Sequence, residues 1–428
     1  MVVFSLLVRH IKVLISWEKK LVLRVQKYGG TSVATIDNIQ KIAKKVADDY
    51  SKGDDFVIIV SAMGDTTDDL INLAKQISDN LDLREMDKLL STGESVSSAL
   101  LAMAFHNLGI EALSLTGAQA GIHTDSFFSR ASISDIEPSR IIREIEQRKI
   151  VVVAGFQGID GDKELTTLGR GGSDTTAVGI AAAMDADICE IYTDVEGVYQ
   201  ADPRLIPNVN RIDEISYEEM LELSSEGAKV IHSRAVELAL LNETPIFVGS
   251  TFSDNRSGTL IQGSIDMEKS NKVRGITHDR NVARVTVSGV PDVPGIAAKI
   301  FAPLADYGIS VDIIVQNTGH DGYSDMSFTV TEDSLDSTLV YVKDLAAGLG
   351  ANEVTGDSSL AKVSIVGAGL QNSPGYAGTM FKALNDAGVN IEMITTAEIS
   401  ITCVIKQDSV EAAVNALNKA FLVNNSNP

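Results

Sequence analysis

From Leu21 onward, short runs of Val, Ile and Leu alternate with longer stretches whose apolar residues recur every three or four positions. The first pattern suits buried strands and the second amphipathic helices. LVLRVQ predicts a strand, IDNIQKIAKKVADDY a helix and DFVIIVSAM a second strand. REMDKLLSTGESVSSALLAMAFHNLG predicts a long helical region interrupted at GESVSS. SRIIREIEQRKI then predicts a helix, VVVAGFQG and CEIYTDV predict strands, and VYQADPRLIP a polar loop. Strands apolar along their whole length, alternating with helices, predict an α/β domain: an open, mainly parallel sheet with helices on both faces. Glycines gather where strands end, which is where such sheets bind ligands.

After about residue 275 the pattern changes and repeats itself. ARVTVSGVPDVPGIAAKIFAPLADYGISVDIIVQN and AKVSIVGAGLQNSPGYAGTMFKALNDAGVNIEMITT each read strand, Pro-Gly turn, helix ending at a glycine (Gly308, Gly388), strand. Each continues with a strand (SDMSFTVT; ISITCVIK) and a helix (LVYVKDLAAGL; VEAAVNALNKAF). A tandem pair of β-α-β-β-α-β units of roughly 60 to 75 residues is therefore expected, of α+β ferredoxin-like type. The expected division is a leader over 1–20, a catalytic domain over 21–265, a linker over 266–280 containing polar MEKSNKVRG, and repeat units over 281–350 and 351–422, with strand exchange between the two left open.

The opening MVVFSLLVRHIKVLISWEKK breaks its apolar runs with Arg9, His10 and Lys12, too early for a spanning helix, and has no signal-peptide order or cleavage site. It reads as a disordered leader or an over-called translation start; a membrane-lying amphipathic helix is the alternative. No other segment could cross a bilayer. With 36 basic and 58 acidic side chains the net charge is −22, which excludes a general nucleic-acid binder. Phosphate chemistry would have to rest on a few concentrated cations. Cys189 and Cys403 lie far apart in sequence and fit free thiols in a reducing cytoplasm. The six histidines are scattered, so a His-based metal site is not expected.

There is no GxxxxGK[ST] loop. Lys27-Tyr28-Gly29-Gly30-Thr31-Ser32 ends the first strand and opens the first helix; its glycines would let backbone amides approach phosphate oxygens, with Lys27 adding a full charge. A plain tight turn is the competing reading. Gly169-Arg170-Gly171-Gly172-Ser173-Asp174 precedes an Ala-rich helix and reads as an anion nest with a guanidinium fork suited to a carboxylate. Asp174 could hold Lys27 or align a metal-bound phosphate. Capping by Ser173 or Asp174 explains those two residues but not Arg170. Thr193 and Asp194 at a strand end, with Tyr199, Asp202, Arg204 and Lys229 downstream, resemble the nucleoside side of a site, and Lys229 falls in what reads as a helix-opening segment, EGAKVIHSRAVELA.

KYGGTSV, VSAMGDTTDDL, STGE, AGFQG, TTLGRGGSDTTA, YTDVEGVYQADPR and EGAKVIHSRAVELA, in this order from about Leu21 to Phe421, resemble the aspartate kinases of the amino-acid kinase superfamily, and the paired C-terminal units resemble their two ACT domains. The resemblance implies transfer of the ATP γ-phosphate to the side-chain carboxylate of L-aspartate, giving 4-phospho-L-aspartate at the head of lysine, threonine and methionine biosynthesis. It implies Lys27 and Asp174 as the catalytic pair, and Ser61, Thr67, Glu94, Arg170, Gly171, Gly172 and Ser173 around aspartate. Lys27, Tyr28, Gly29, Gly30, Ser173, Thr193, Asp194, Tyr199, Asp202, Arg204 and Lys229 would meet ATP, whose phosphates would carry Mg2+. No protein metal site is implied. The chemistry agrees: Glu94 suits the substrate ammonium, Arg170 its α-carboxylate, and the β-carboxylate is already a nucleophile at neutral pH.

The resemblance further implies a cytoplasmic enzyme inhibited by lysine and/or threonine. Effector contacts would be Asp292, Pro294, Gly295, Ile296, Asp312, Gln316 and Asn317 in the first ACT unit, and Asn390 and Ile391 in the second, unless the second only dimerises. Expected partners are a second copy of the chain, or a regulatory subunit started internally, as at Met267; neither nucleic acid nor membrane is expected. The alternatives are a kinase of the same superfamily acting on another substrate, and a non-catalytic amino-acid sensor.

Overall fold

The computed structural model describes residues 22–253, 257–263, 272–317, 322–370 and 374–423. The expected leader, Met267 and part of the expected linker lie outside them. The chain forms two compact units. One holds the chain up to Glu196 together with Arg234–Gly263; the other holds Gly197–Ser233 together with the chain from Ser264 on. The expected 21–265 domain is thus shared between the two units, because Gly197–Ser233 clusters with the C-terminal repeats.

In the first unit the elements follow as β1 (Leu23–Tyr28), α1 (Ile36–Tyr50), β2 (Asp55–Val60), α2 (Thr66–Lys75), α3 (Leu83–Asn107), β3 (Ala112–Leu115), β4 (Ile122–Thr124), β5 (Ile133–Ile136), α4 (Ser139–Glu146), β6 (Ile150–Ala154), β7 (Gln157–Ile159), β8 (Leu165–Thr167), α5 (Gly172–Ala183) and β9 (Ile188–Thr193). The second unit's early segment adds β10 (Glu214–Ser216) and α6 (Tyr217–Ser225), after which α7 (Ser233–Asn242), β11 (Ile246–Ser250) and β12 (Gly258–Gln262) complete the first unit. The main sheet of the first unit runs β12-β11-β9-β1-β2-β6-β3 and is parallel except at β12. A smaller sheet runs β5-β4-β7-β8. This is the mainly parallel α/β sheet that the apolar runs predict.

Period-two alternation assigns the faces. Tyr28, Phe56, Ile58, Val60, Ile150 and Val152 pack with Ile39, Ile42, Ala43 and Val46 of α1 and Leu101, Ala102 and Phe105 of α3. The intervening residues, among them Val25, Lys27, Val57 and Ile59, face the other way, where α5 packs against β1, β2 and β9. From Gly172 to Ala181 every residue of α5 is buried, as its Gly/Ala-rich sequence permits.

Two local expectations are corrected. GESVSS does not interrupt its helix: α3 is continuous from Leu83 to Asn107. The hydroxyls of Ser91 and Ser95 donate back to carbonyls one turn earlier instead of competing for the helical amides. Gly93 is there for a close approach, since a Cβ on it would lie 2.8 Å from the Cβ of Ala62. The Gly29-Gly30 turn does not itself open α1, whose N-cap is Thr35, accepting from the amide of Asn38.

The second unit continues with β13 (Gly275–Pro291), α8 (Ile296–Asp306), β14 (Ile314–Gln316), β15 (Tyr323–Val330), α9 (Leu335–Leu349), β16 (Glu353–Val366), α10 (Tyr376–Asp386), β17 (Met393–Thr396), β18 (Ser400–Lys406) and α11 (Val410–Asn418). The sheet order is β14-β15-β13-β16-β18-β17, antiparallel throughout. Both helices expected to end at a glycine do so, at Gly308 (φ +70°) and Gly388 (φ +72°). The long strands β13 and β16 each serve both repeats. Ala283–Val287 of β13 pairs with β15, while Gly275–Asp279 pairs with Lys362–Val366 and takes the closing-strand position in the second repeat. Nothing after α11 in the sequence marks that strand, because it is supplied from before the first repeat. Among the described residues no helix is long and apolar enough to cross a membrane.

Replacing a helix-interior glycine by alanine ordinarily stabilises by about 1 kcal/mol. At Gly93 the contact with Ala62 should outweigh that gain, and Gly93→Ala should destabilise the protein by about 1–3 kcal/mol; a raised midpoint in chemical unfolding would refute the close-approach account.

Candidate active site

The parallel strands β1, β2, β6 and β9 end on one edge of the first unit, and the polar loops lie there. Alternation directs Lys27 toward α5, where its ammonium meets Asp174 Oδ1 at 2.7 Å; both side chains are largely buried. A pair this enclosed needs both members, since removing one leaves an uncompensated charge. Gly29 lies directly beside it, a Cβ there being 3.4 Å from Lys27 Nζ. The turn is held by Gly29 N donating to Tyr192 O (3.2 Å) and Gly64 N donating to Gly30 O (3.1 Å), while the Tyr28 and Tyr192 rings stack below. A Cβ on Gly30 would press on the Ala62 carbonyl at 3.0 Å, so the glycine pair is required by packing as well as by access.

The second glycine loop carries Gly169 and Gly171 at φ +73° and +71°, conformations that favour glycine. Gly171 occupies the N-cap of α5, and no side chain caps this terminus. Ser173 and Asp174 are therefore not caps: Asp174 goes to Lys27, and Ser173 packs at Gly155, where a Cβ would lie 2.8 Å from its Oγ. An uncapped helix start leaves backbone amides of the kind that suit an anion, and the Lys27–Asp174 pair lies at its first turn. Arg170 is exposed, and no carboxylate of the described residues pairs with it.

Glu94 is 4% exposed, projecting from α3. Its Oε1 accepts from Ala62 N at 3.1 Å, whereas Oε2 is buried without a hydrogen-bond partner. Burial pushes the carboxyl up to about 7, against the smaller opposing pull of backbone hydrogen bonds. A buried acceptor without a donor is costly, and a cationic ligand group would relieve it. Ser61 adjoins this place: its carbonyl accepts from Ser97 Oγ at 2.7 Å. Thr67 lies in the first turn of α2, partly exposed. Thr193 Oγ1 donates to Asp194 Oδ1 (2.9 Å), and the Thr193 carbonyl accepts from Thr251 N (2.9 Å).

Tyr199, Asp202, Arg204 and Lys229 belong to the second unit. Arg204 folds back onto Asp202 with bonds of 2.8–3.2 Å, and Tyr199 bridges to Arg211. Lys229 is exposed in the turn between α6 and α7 and does not open a helix; α7 begins at Ser233. Of the effector candidates, Asp292, Pro294 and Gly295 form the exposed turn before α8, with Ile296 buried beneath. Gln316 Nε2 reaches Ser324 Oγ at 3.4 Å, and Ser324 lies opposite Val290, so Gln316 and Asn317 share that end of the sheet. Asp312 does not: its amide donates to Thr329 O, six residues, or about 20 Å, along β15 from Tyr323. Asn390 contacts Glu392 (3.4 Å), and Ile391 packs on the second repeat's core.

Two positioning groups carry no sequence signal of their own. Asp87 is fully buried and accepts from the amides and hydroxyls of Ser129 and Thr167 at 2.7–3.1 Å, anchoring the strand that leads into the arginine loop. Arg234 donates to the carbonyls of Leu168 (2.7 Å) and Ala131 (3.0 Å) behind the same loop. Asp87 reads in sequence as one more helical acid, and Arg234 as part of a quoted motif without a role. No group of three His, Cys, Asp or Glu side chains among the described residues is arranged to hold a metal.

Residues 23–250 match the amino acid kinase family, and residues 284–339 and 363–421 each match an ACT domain. An aspartokinase of Mycolicibacterium smegmatis is 47% identical over 93% of this chain and 96% of its own length. That of Geobacillus stearothermophilus is 48% identical over 93% and 96%. Among solved structures, Escherichia coli aspartokinase III in complex with aspartate and ADP (R-state) is similar, with TM-score 0.81, 25% identity and coverage of 93% and 99%. The same enzyme with lysine and aspartate (T-state) gives 0.71 at 25% identity, over 94% and 99%. Shared architecture, motif order and near-complete mutual coverage all lead to one conclusion: the chain belongs to the aspartokinase family.

Proposed function

We propose that the chain transfers the γ-phosphoryl group of ATP to the β-carboxylate of L-aspartate, releasing ADP and 4-phospho-L-aspartate. The observation that carries this reading is the 2.7 Å Lys27–Asp174 pair set beside the Gly29-Gly30 turn and the uncapped start of α5. Complexes of a relative with aspartate and ADP support the choice of substrates. Aspartate would be held by Arg170 at its α-carboxylate and by Glu94 at its ammonium, with Ser61, Thr67 and Gly171–Ser173 around it. The β-carboxylate is then the free nucleophile. It is ionised at neutral pH, so no general base is needed, and catalysis consists of alignment and charge neutralisation.

Lys27 would neutralise the charge that gathers on the transferring phosphoryl group, with the amides of Gly29 and Gly30 and the α5 terminus as further donors. Asp174 keeps the Lys27 ammonium aimed at that place. Tyr28, Thr193, Asp194, Tyr199, Asp202, Arg204 and Lys229 are assigned to the nucleotide. Magnesium, when bound, neutralises phosphate charge; with no protein cage among the described residues it would be held by the nucleotide's oxygens and water, with Asp174 the carboxylate at hand. The same reading takes 21–265 as the catalytic region and 281–350 and 351–422 as ACT units binding lysine and/or threonine, in a cytoplasmic enzyme acting as a homodimer or with a shorter regulatory subunit.

An ADP-release assay with aspartate tests the reaction, and ATP binding without aspartate-dependent ADP release would refute it. Lys27→Ala should lower kcat about 10²–10³-fold, with little change in aspartate KM. Arg170→Ala should chiefly raise aspartate KM; equal behaviour of the two variants would contradict the assigned roles. Because Glu94 must be ionised to hold an ammonium and its carboxyl sits at about 7, aspartate KM should rise as pH falls below 7 and level off above it. Glu94→Gln should remove that limb of the profile. Gln316→Ala should relieve inhibition by lysine or threonine while leaving uninhibited turnover unchanged, and unaltered inhibition would move the effector site elsewhere.

A further inference from the structure

The long helix α3 buries a polar stripe where an internal helix ordinarily turns an apolar face. Asp87, Ser91, Glu94 and Ser98 recur every three or four residues, so they share one side of the helix, and none is more than 4% exposed. Such burial is costly unless the polar groups find partners. Asp87 accepts from Ser129 and Thr167, the Ser91 carbonyl accepts from Gln157 Nε2 (3.0 Å), and Glu94 Oε1 accepts from Ala62 N. All of these segments belong to the first unit.

Asp87 is the most demanding member. Its carboxylate is fully buried, and the four donors it accepts from, two amides and two hydroxyls, are all neutral. They hold Ser129 at φ +65°, a left-handed conformation uncommon outside glycine. The Ser129 carbonyl lies so near Gly169 that a Cβ there would approach it to 2.9 Å, and Ala131 N donates to Thr167 O at 2.9 Å. Arg170 follows directly in the chain. One helix therefore grips the backbone beside Arg170 through Asp87 and presents the Glu94 carboxylate two turns further on, about 10 Å along its axis. An apolar residue at 87 would serve the core as well; a carboxylate that accepts two backbone amides fixes one particular backbone instead.

We propose that α3 is the selectivity element of the site: Asp87 is a positioning residue for Arg170, and the fixed interval from Asp87 to Glu94 makes the protein choose its acceptor by the α-amino-acid head, which carries both an ammonium and an α-carboxylate. The inference rests on the reading of Arg170 and Glu94 as the contacts of those two groups. Loosening Asp87 then weakens only ligands that bring a carboxylate to Arg170. Succinate has that carboxylate and lacks the ammonium. β-Alanine has the ammonium and the acceptor carboxylate and lacks the α-carboxylate.

The test uses the full chain, with KM for aspartate and ATP from ADP release and Ki for succinate and β-alanine as competitors of aspartate. Asp87→Asn should raise aspartate KM and succinate Ki about five- to tenfold, while β-alanine Ki and ATP KM stay within about twofold. Combined with Arg170→Ala it should add nothing further to aspartate KM. Thr167→Val removes one donor to Asp87 at nearly constant volume and should move the same quantities in the same direction by about two- to threefold; it decides the matter should Asp87→Asn fail to fold. Wild-type aspartate KM in both variants, losses shared equally by aspartate, β-alanine and ATP, or additive losses in the double variant would overturn the proposal. Where β-alanine does not compete measurably, succinate against ATP and the double variant decide. Arg170→Ala alone separates the two levels. If it raises aspartate KM and succinate Ki while Asp87→Asn and Thr167→Val do not, only the positioning role falls; if it leaves both as in the wild type, the reading of Arg170 falls and the inference with it.

Discussion

The first unit is organised around one ion pair that must survive away from bulk water. Lys27 belongs to a strand whose neighbours Val25 and Tyr28 are fully buried, and it is admitted there because Asp174 meets it from the first turn of α5. Neither charge is tolerable alone in that position. The pair therefore fixes how β1 and α5 sit against one another, and with them the two glycine loops that follow β1 and precede α5. Those loops leave backbone amides and one cation facing the strand ends, which is what an anionic substrate pair requires.

Charge explains why so few residues must do this. The chain carries a net −22, a background that repels both ATP and aspartate. Binding has to come from short-range cations and amides that outweigh it locally, and Arg170, exposed and without a carboxylate partner among the described residues, is available for that purpose. Glu94 is the complementary case. An acid enclosed with one oxygen unsatisfied is a standing cost to the empty protein, and it is relieved by a ligand that brings a positive charge.

The second unit shows the same economy on a larger scale. Its two repeats do not stand as separate beads, because β13 and β16 each run through both. A displacement along either strand is felt by both halves of the sheet. The segment Gly197–Ser233 clusters with this sheet, and Ala201 and Ile206 join the apolar core of the second repeat. Four of the residues assigned to the nucleotide, Tyr199, Asp202, Arg204 and Lys229, thereby belong to the same unit as the ACT repeats.

Much of this was legible in the chain. Apolar runs and helical spacing marked the parallel sheet, the tandem Pro-Gly turns marked the repeats, and the glycine loops singled out Lys27 and Asp174, which the fold brings together, because each depends on local periodicity or local backbone freedom. What the sequence could not express were contacts whose partners are distant. Gly93 reads as a helix breaker until Ala62 is seen against it, Asp87 as a surface acid until Ser129 and Thr167 surround it, and Lys362 as a strand lysine until Glu226 and Asp312 close over it. The closing strand of the second repeat comes from Gly275–Asp279, ahead of the first repeat in the chain. Periodicity records which way a side chain points; only the tertiary structure decides what it meets there, because burial and pairing are properties of two segments and not of one.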